Sequence, residues 1–179
     1  LGFIEHVRTC SDIDQDTMYL LVLLHANLNI WDNFTMYMER YTGIYKEKAE
    51  LQKEEISDLY LKGAKYYLAG GEEDAAVKFL EKSLEYNPIS LETIELLCTV
   101  NISRGLNYQN LAILESAFTV IPSFELFDLY YHSASMSPED IYDKFYNLVD
   151  ARYHKDVFLA IAAYLKLYDR VDTLLSCEI

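Results

Sequence analysis

Histidines, cysteines and a short acidic run are the side chains of this 179-residue sequence with the most chemistry to offer. His6, His25, His132 and His154 are scattered, and none belongs to an HExxH pattern, which would set two imidazoles one helical turn apart beside a general base. Cys10, Cys98 and Cys177 are isolated, odd in number and without CxxC or Cys/His spacing, so neither a disulfide framework nor a zinc site is expected. No GxSxG elbow raises a serine nucleophile on a strand-to-helix turn. No GxxxxGK[ST] cradle offers backbone amides to a phosphate, and the one glycine pair, Gly70-Gly71, falls between two helical stretches. Glu72-Glu73-Asp74 opens a helix, where carboxylates oppose the positive end of the helix dipole, so position explains them without acid/base work. The expectation is a protein that is not an enzyme and carries no cofactor and no metal.

Charge narrows the partners. With 15 Lys and Arg against 29 Asp and Glu the formal net charge is −14, a balance that repels phosphate backbones and anionic lipid headgroups. Nucleic acid is excluded as an expected partner, and a basic one is favoured. The longest apolar run, Met18 to Leu24, is far short of the roughly 20 residues that cross a bilayer, so this stretch of chain is expected not to insert into a membrane itself. Because it begins at Leu1 rather than Met, the chain reads as a fragment, with any anchor outside it.

The elements that must position these residues are helical. Hydrophobic residues make up 51% of the chain, while 6 Gly and 3 Pro are too few for the turns of a sandwich or barrel. Leu59, Tyr60, Gly63, Ala64, Tyr67 and Leu68 form one apolar stripe that stops at Gly70-Gly71; Ala76, Val77, Leu80, Ser83 and Leu84 form a second that runs to Asn87-Pro88. Together they predict a helical hairpin. Upstream, Met18, Leu21, Val22, His25 and Leu28 share a face, and a longer pattern from Trp31 carries Phe34, Tyr37, Met38, Tyr41, Ile44 and Tyr45. The mixed charges of residues 46–55 predict a solvated helix or linker. Downstream, Phe124 to His132, a helix capped by Ser137 with Pro138 in its first turn, and a final pair over Val157 to Tyr168 and Val171 to Leu175 complete the reading.

A period underlies this order. Pro88 and Pro122 are 34 residues apart, each closing a helix, and so are Gly71 and Gly105 in the preceding turns. Over 57–90, Tyr60, Gly63, Ala64, Tyr67, Ala76, Leu80, Ser83 and Pro88 fall where the tetratricopeptide (TPR) repeats place their signature residues, with Gly63 in place of Leu and Ser83 in place of Ala. Over 91–123, Ile94, Leu97, Ala117 and Pro122 fit, whereas Cys98 replaces a small residue, Asn101 replaces Tyr and Asn110 replaces Ala. The chain thus resembles the TPR repeats, and the order of its segments, through the Pro122-Ser123-Phe124-Glu125-Leu126 junction to Ser137-Pro138-Glu139-Asp140, is similar to the carboxy-terminal half of alphaproteobacterial HemY-type proteins. That second resemblance implies a scaffold associated with haem biosynthesis, held at the bacterial inner membrane by an anchor outside this chain; without it, a cytoplasmic location is expected.

The resemblance implies an all-α fold, a TPR-like right-handed solenoid of antiparallel helical hairpins in one domain over 1–179, with units near 15–56, 57–90, 91–123 and 124–179. Its first helices would line a concave face through Asp58, Leu61, Lys65 and Leu68 in one repeat and Glu92, Glu95, Thr99 and Ile102 in the next. The expected function is non-catalytic protein–protein interaction, as a scaffold or adaptor for a basic or amphipathic protein or peptide. Two alternatives stay open: a helical enzyme or ligand carrier with an internal pocket, and an interaction protein unrelated to haem synthesis.

Overall fold

The computed structural model describes residues 13–176, and within them every regular element is helical. The α-helices are α1 (Gln15–Asn27), α2 (Trp31–Ile44), α3 (Lys46–Leu51), α4 (Lys53–Ala69), α5 (Glu73–Tyr86), α6 (Leu91–Ser103), α7 (Asn110–Val120), α8 (Phe124–Ser133), α9 (Pro138–Leu148), α10 (Lys155–Tyr164) and α11 (Tyr168–Ser176). Short 3-10 turns at Asn107–Gln109 and Ala151–His154 precede α7 and α10. Among the described residues no helix is long and apolar enough to cross a membrane. Cys10, Cys177 and His6 lie outside the described residues.

Side-chain caps and one recurring turn set the helix ends. Asp14 accepts from the Thr17 amide at 3.0 Å, Ser123 from Leu126 at 3.3 Å and Ser137 from Asp140 at 3.1 Å, each satisfying an amide that the helix start leaves open. Four helices end in the same left-handed turn: Glu72 donates to Tyr67 at 2.9 Å, Leu106 to Asn101 at 2.8 Å, Ile30 to His25 at 2.9 Å and Leu167 to Ala162 at 2.9 Å. The residue that turns left-handed is Gly71 (φ 76°) or Gly105 (φ 72°) in two of them, and Asn29 (φ 55°) or Lys166 (φ 60°) in the others. The 34-residue spacing recurs at the far ends of the hairpins too. Asn87 (φ −135°, ψ 87°) and Ile121 (φ −132°, ψ 82°) leave their helices in the same extended conformation, the one that a following proline favours.

Contacts divide the chain into two compact units, one ending at Asn87 and the other beginning at Pro88. In the first, α1 packs on α2 and α4 on α5, and α4 also touches α1. Its core gathers Met18, Val22, Phe34, Tyr37, Met38, Tyr41, Ile56 and Tyr60, all buried. Gly63 is the point of closest approach: a Cβ there would collide with the Phe79 ring and sit 3.0 Å from Trp31. Ser57 and Ser83 stitch α4 to α5, each hydroxyl donating to the other's carbonyl at 3.0 Å.

In the second unit α7 packs on α8 and α10 on α11, while α6 adjoins α8, α8 adjoins α10 and α7 adjoins α9. Phe118, Phe127, Tyr130, Phe145 and Phe158 fill its core, with the Phe118 and Phe145 rings edge to face at 4.5 Å. The described residues of the 124–179 span hold four α-helices, α8 to α11.

Several sequence expectations are corrected. Leu28 is 57% exposed because α1 stops before it and the Asn29 turn carries the chain away. The pattern from Trp31 ends at Tyr45 and the charged stretch holds the short, largely exposed α3, as expected, but α4 begins at Lys53, ahead of Ser57, where the repeat match begins. The helix expected over Val157 to Tyr168 ends at Tyr164, since Lys166 takes a left-handed turn that no glycine announces.

Candidate functional site

The eight outward positions expected on the first helices divide by unit. On α4, Asp58 and Lys65 are exposed and Leu68 is half-buried. Leu61 is 6% exposed, which removes it as a partner contact: α4 lies against α1 as well as α5, so part of the row facing away from α5 is covered. On α6, Glu92, Glu95, Thr99 and Ile102 are all exposed and fall on one helical face.

Glu95 and Thr99 go further. They form one wall of an open groove of about 360 Å³, whose other wall is Phe124, Glu125, Asp128 and Leu129 of α8. Glu92 and Ile102 lie on the same face of α6 but outside the groove's lining. The Thr99 hydroxyl donates to the Glu95 carbonyl at 2.7 Å, so it stays on its own helix.

Three carboxylates and two large apolar side chains therefore meet in the groove, with no lysine or arginine in its lining. A hydrogen bond to Asp128 pushes the Tyr164 hydroxyl's pKa above the usual tyrosine value. His132 Nδ1 lies 3.4 Å from Asp128 Oδ1 but gives its hydrogen to the Asp128 backbone carbonyl at 2.8 Å. Among the described residues no hydrogen bond or ion pair engages the carboxylates of Glu95 or Glu125. Phe124 is braced edge-on by Tyr164 at 5.3 Å, and Tyr164 in turn meets Tyr131 at 5.7 Å, so α10 supports the α8 wall from behind.

A buried polar link holds the two walls together. Asn110, on α7, donates to the Cys98 carbonyl of α6 and to the Ser133 hydroxyl of α8, both at 3.2 Å, while accepting from Asn101 of α6 at 2.9 Å. All of these groups are buried, where an unmade hydrogen bond would be costly, so the network fixes α6 and α8 on a common support.

The α8 wall is not among the sequence expectations, whose repeat matches stop at Pro122. A signal was present: Glu125, Asp128 and His132 stand thirty-three residues after Glu92, Glu95 and Thr99, one short of the preceding period. His25 and Cys98 lie in the interior. His25 is buried against Tyr37, its ring stacked at 5.0 Å and its Nδ1–H donated to the Leu21 carbonyl at 2.7 Å. Cys98 is fully buried, and burial pushes its thiol pKa up to about 12. Among the described residues no group of three or more His, Cys, Asp or Glu is placed to hold a metal ion.

The chain is similar to the uncharacterized protein RP472 of Rickettsia prowazekii, at 28% identity over 157 residues. The matched stretch is 88% of this chain and 46% of the relative, so the chain spans about half the length of the curated relative it matches. No known family matches the chain, and no solved structure does.

Proposed function

We propose that this chain is a protein-binding module, a scaffold or adaptor rather than a catalyst, and that the α6–α8 groove of its second unit is where a partner docks. The observation that carries the reading is the groove itself: an open cleft between two adjoining helices, lined by exposed carboxylates and by Phe124 and Leu129, a composition suited to holding a protein segment. The helix order supports it. In the second unit α6, α8 and α10 adjoin in sequence while α7 adjoins α9, an arrangement that the TPR resemblance implies for first and second helices of successive repeats. The 34-residue recurrence of the Gly71 and Gly105 turns adds to this support. An inner-membrane anchor and a link to haem biosynthesis enter the proposal solely through the HemY-type resemblance; the groove supports neither.

In-cell photo-crosslinking tests the reading. A photoreactive amino acid replaces Thr99, in the groove, or Ser116, exposed on α7. Adducts to another protein from Thr99 and not from Ser116 are expected. Adducts from Ser116 alone would move the site to another face.

A further inference from the structure

The polarity of the groove specifies its occupant more closely than "a protein". Glu95 and Glu125 face solvent, and among the described residues no hydrogen bond or ion pair engages their carboxylates, whereas Asp128 is less exposed and has the Tyr164 hydroxyl as a neighbour. Two carboxylates without a bonded partner among the described residues thus share the groove lining with the apolar Phe124 and Leu129. A partner that brought only apolar groups would bury those carboxylates unpaired, and an acidic one would add like-charge repulsion. A second copy of this chain carries the same net charge of −14 and meets the same objection.

We infer that the groove takes a segment of a partner protein that presents a lysine or arginine to Glu95 and Glu125 and an adjacent apolar side chain to Phe124 and Leu129. The inference rests on the protein-binding reading and goes beyond it by fixing the sign of the ligand. This polarity is opposite to that of a clamp for a terminal carboxylate, which needs cationic side chains lining the cleft; none lines this one. The apolar contact sets the lifetime of the complex, and the charges set the rate and selectivity of encounter.

The test uses three fluorescein-labelled twelve-residue peptides that share their leucines and differ only at the remaining positions: Lys and Arg, Gln, or Glu. Anisotropy titrations with the full chain at low and physiological salt compare wild type with Glu95→Gln/Glu125→Gln. A control, Glu139→Gln/Asp172→Asn, removes the same charge from exposed positions outside the groove lining. The basic peptide is expected to bind wild type and control alike, to weaken with salt, and to bind the groove variant roughly tenfold less tightly. Equal binding of the basic peptide to the groove variant and the control would overturn the inference, as would binding of the Gln or Glu peptide as tight as that of the basic one. Crosslinks from Thr99 would still support the protein-binding reading in that event, so the two failures are separable.

Discussion

Asn101 donates its side-chain amide to the Oδ1 of Asn110 at 2.9 Å, and this one bond between α6 and α7 accounts for both asparagines that break the repeat pattern over 91–123. Neither makes sense alone, since a buried amide needs a partner of its own kind or a backbone group. Replacing Asn110 by Ala removes the acceptor for Asn101 and the donor to Cys98 and Ser133 together. At about 1–3 kcal/mol for a buried polar group left unsatisfied, the variant is expected to lower the urea midpoint markedly. It should also loosen the α6–α8 groove, seen as faster amide exchange in both helices. A midpoint equal to wild type would mean that the network is not formed.

Gly63 gives a second prediction, with two opposing effects to weigh. Alanine inside a helix gains about 1 kcal/mol over glycine, which alone would stabilise α4. Against this, the added methyl collides with the Phe79 ring, whose movement would disturb its contacts with Trp31, Tyr60 and Tyr67 at centroid distances of 5.8, 5.6 and 5.1 Å. Overpacking of this kind costs about 1–3 kcal/mol, so Gly63→Ala should destabilise the chain on balance. Adding Phe79→Leu should recover part of the loss. A Gly63→Ala protein more stable than wild type would show that the contact is not as close as described.

Alkaline stability follows from burial. The Cys98 thiol is pushed from 9.0 up to about 12, and the Tyr142 hydroxyl from 10.0 up to about 12, in both cases chiefly by burial. Their folded-state values are raised, so the unfolded chain loses these protons first as pH rises. The associated stability is fully present below pH 9 and is lost between about pH 9 and 12. Urea midpoints measured from pH 8 to 12 should fall across that window, and Cys98→Val should flatten the first part of the fall. A midpoint independent of pH up to 12 would contradict the burial of both groups.

How much of this was legible in the sequence depends on whether the signal was local. The α4–α5 hairpin, the caps at Ser137 and Pro138 and the glycine turns at Gly71 and Gly105 are written in stripe, cap and turn residues within a few positions of one another. Several residues that depart from the repeat pattern are halves of pairs in the structure. Ser83 meets Ser57, Gly63 admits Phe79, and Asn101 meets Asn110. Pairing across helices leaves no trace in the periodicity of either one. The break at Lys166 was hidden for another reason, since lysine adopts a left-handed turn there without the glycine that would announce it. In the groove, Glu95 and Thr99 stand at positions that the TPR resemblance implies, whereas the α8 wall is offset by thirty-three residues, one short of the 34-residue period. Leu61 is buried, and α4 touches α1 as well as its hairpin partner α5, a neighbour that the hairpin's own stripe does not reveal.

Association kinetics test the central claim most directly. A partner identified by crosslinking from Thr99 is measured against the full chain and against Glu95→Lys/Glu125→Lys, at low salt and at physiological salt, where charges are screened beyond roughly 8 Å. Acidic residues that steer a basic segment act on encounter, so the variant is expected to associate about tenfold more slowly at low salt, with a much flatter salt dependence and a smaller change in dissociation. Wild-type association rates for the variant at both salt concentrations would contradict the assignment of the α6–α8 groove as the docking site.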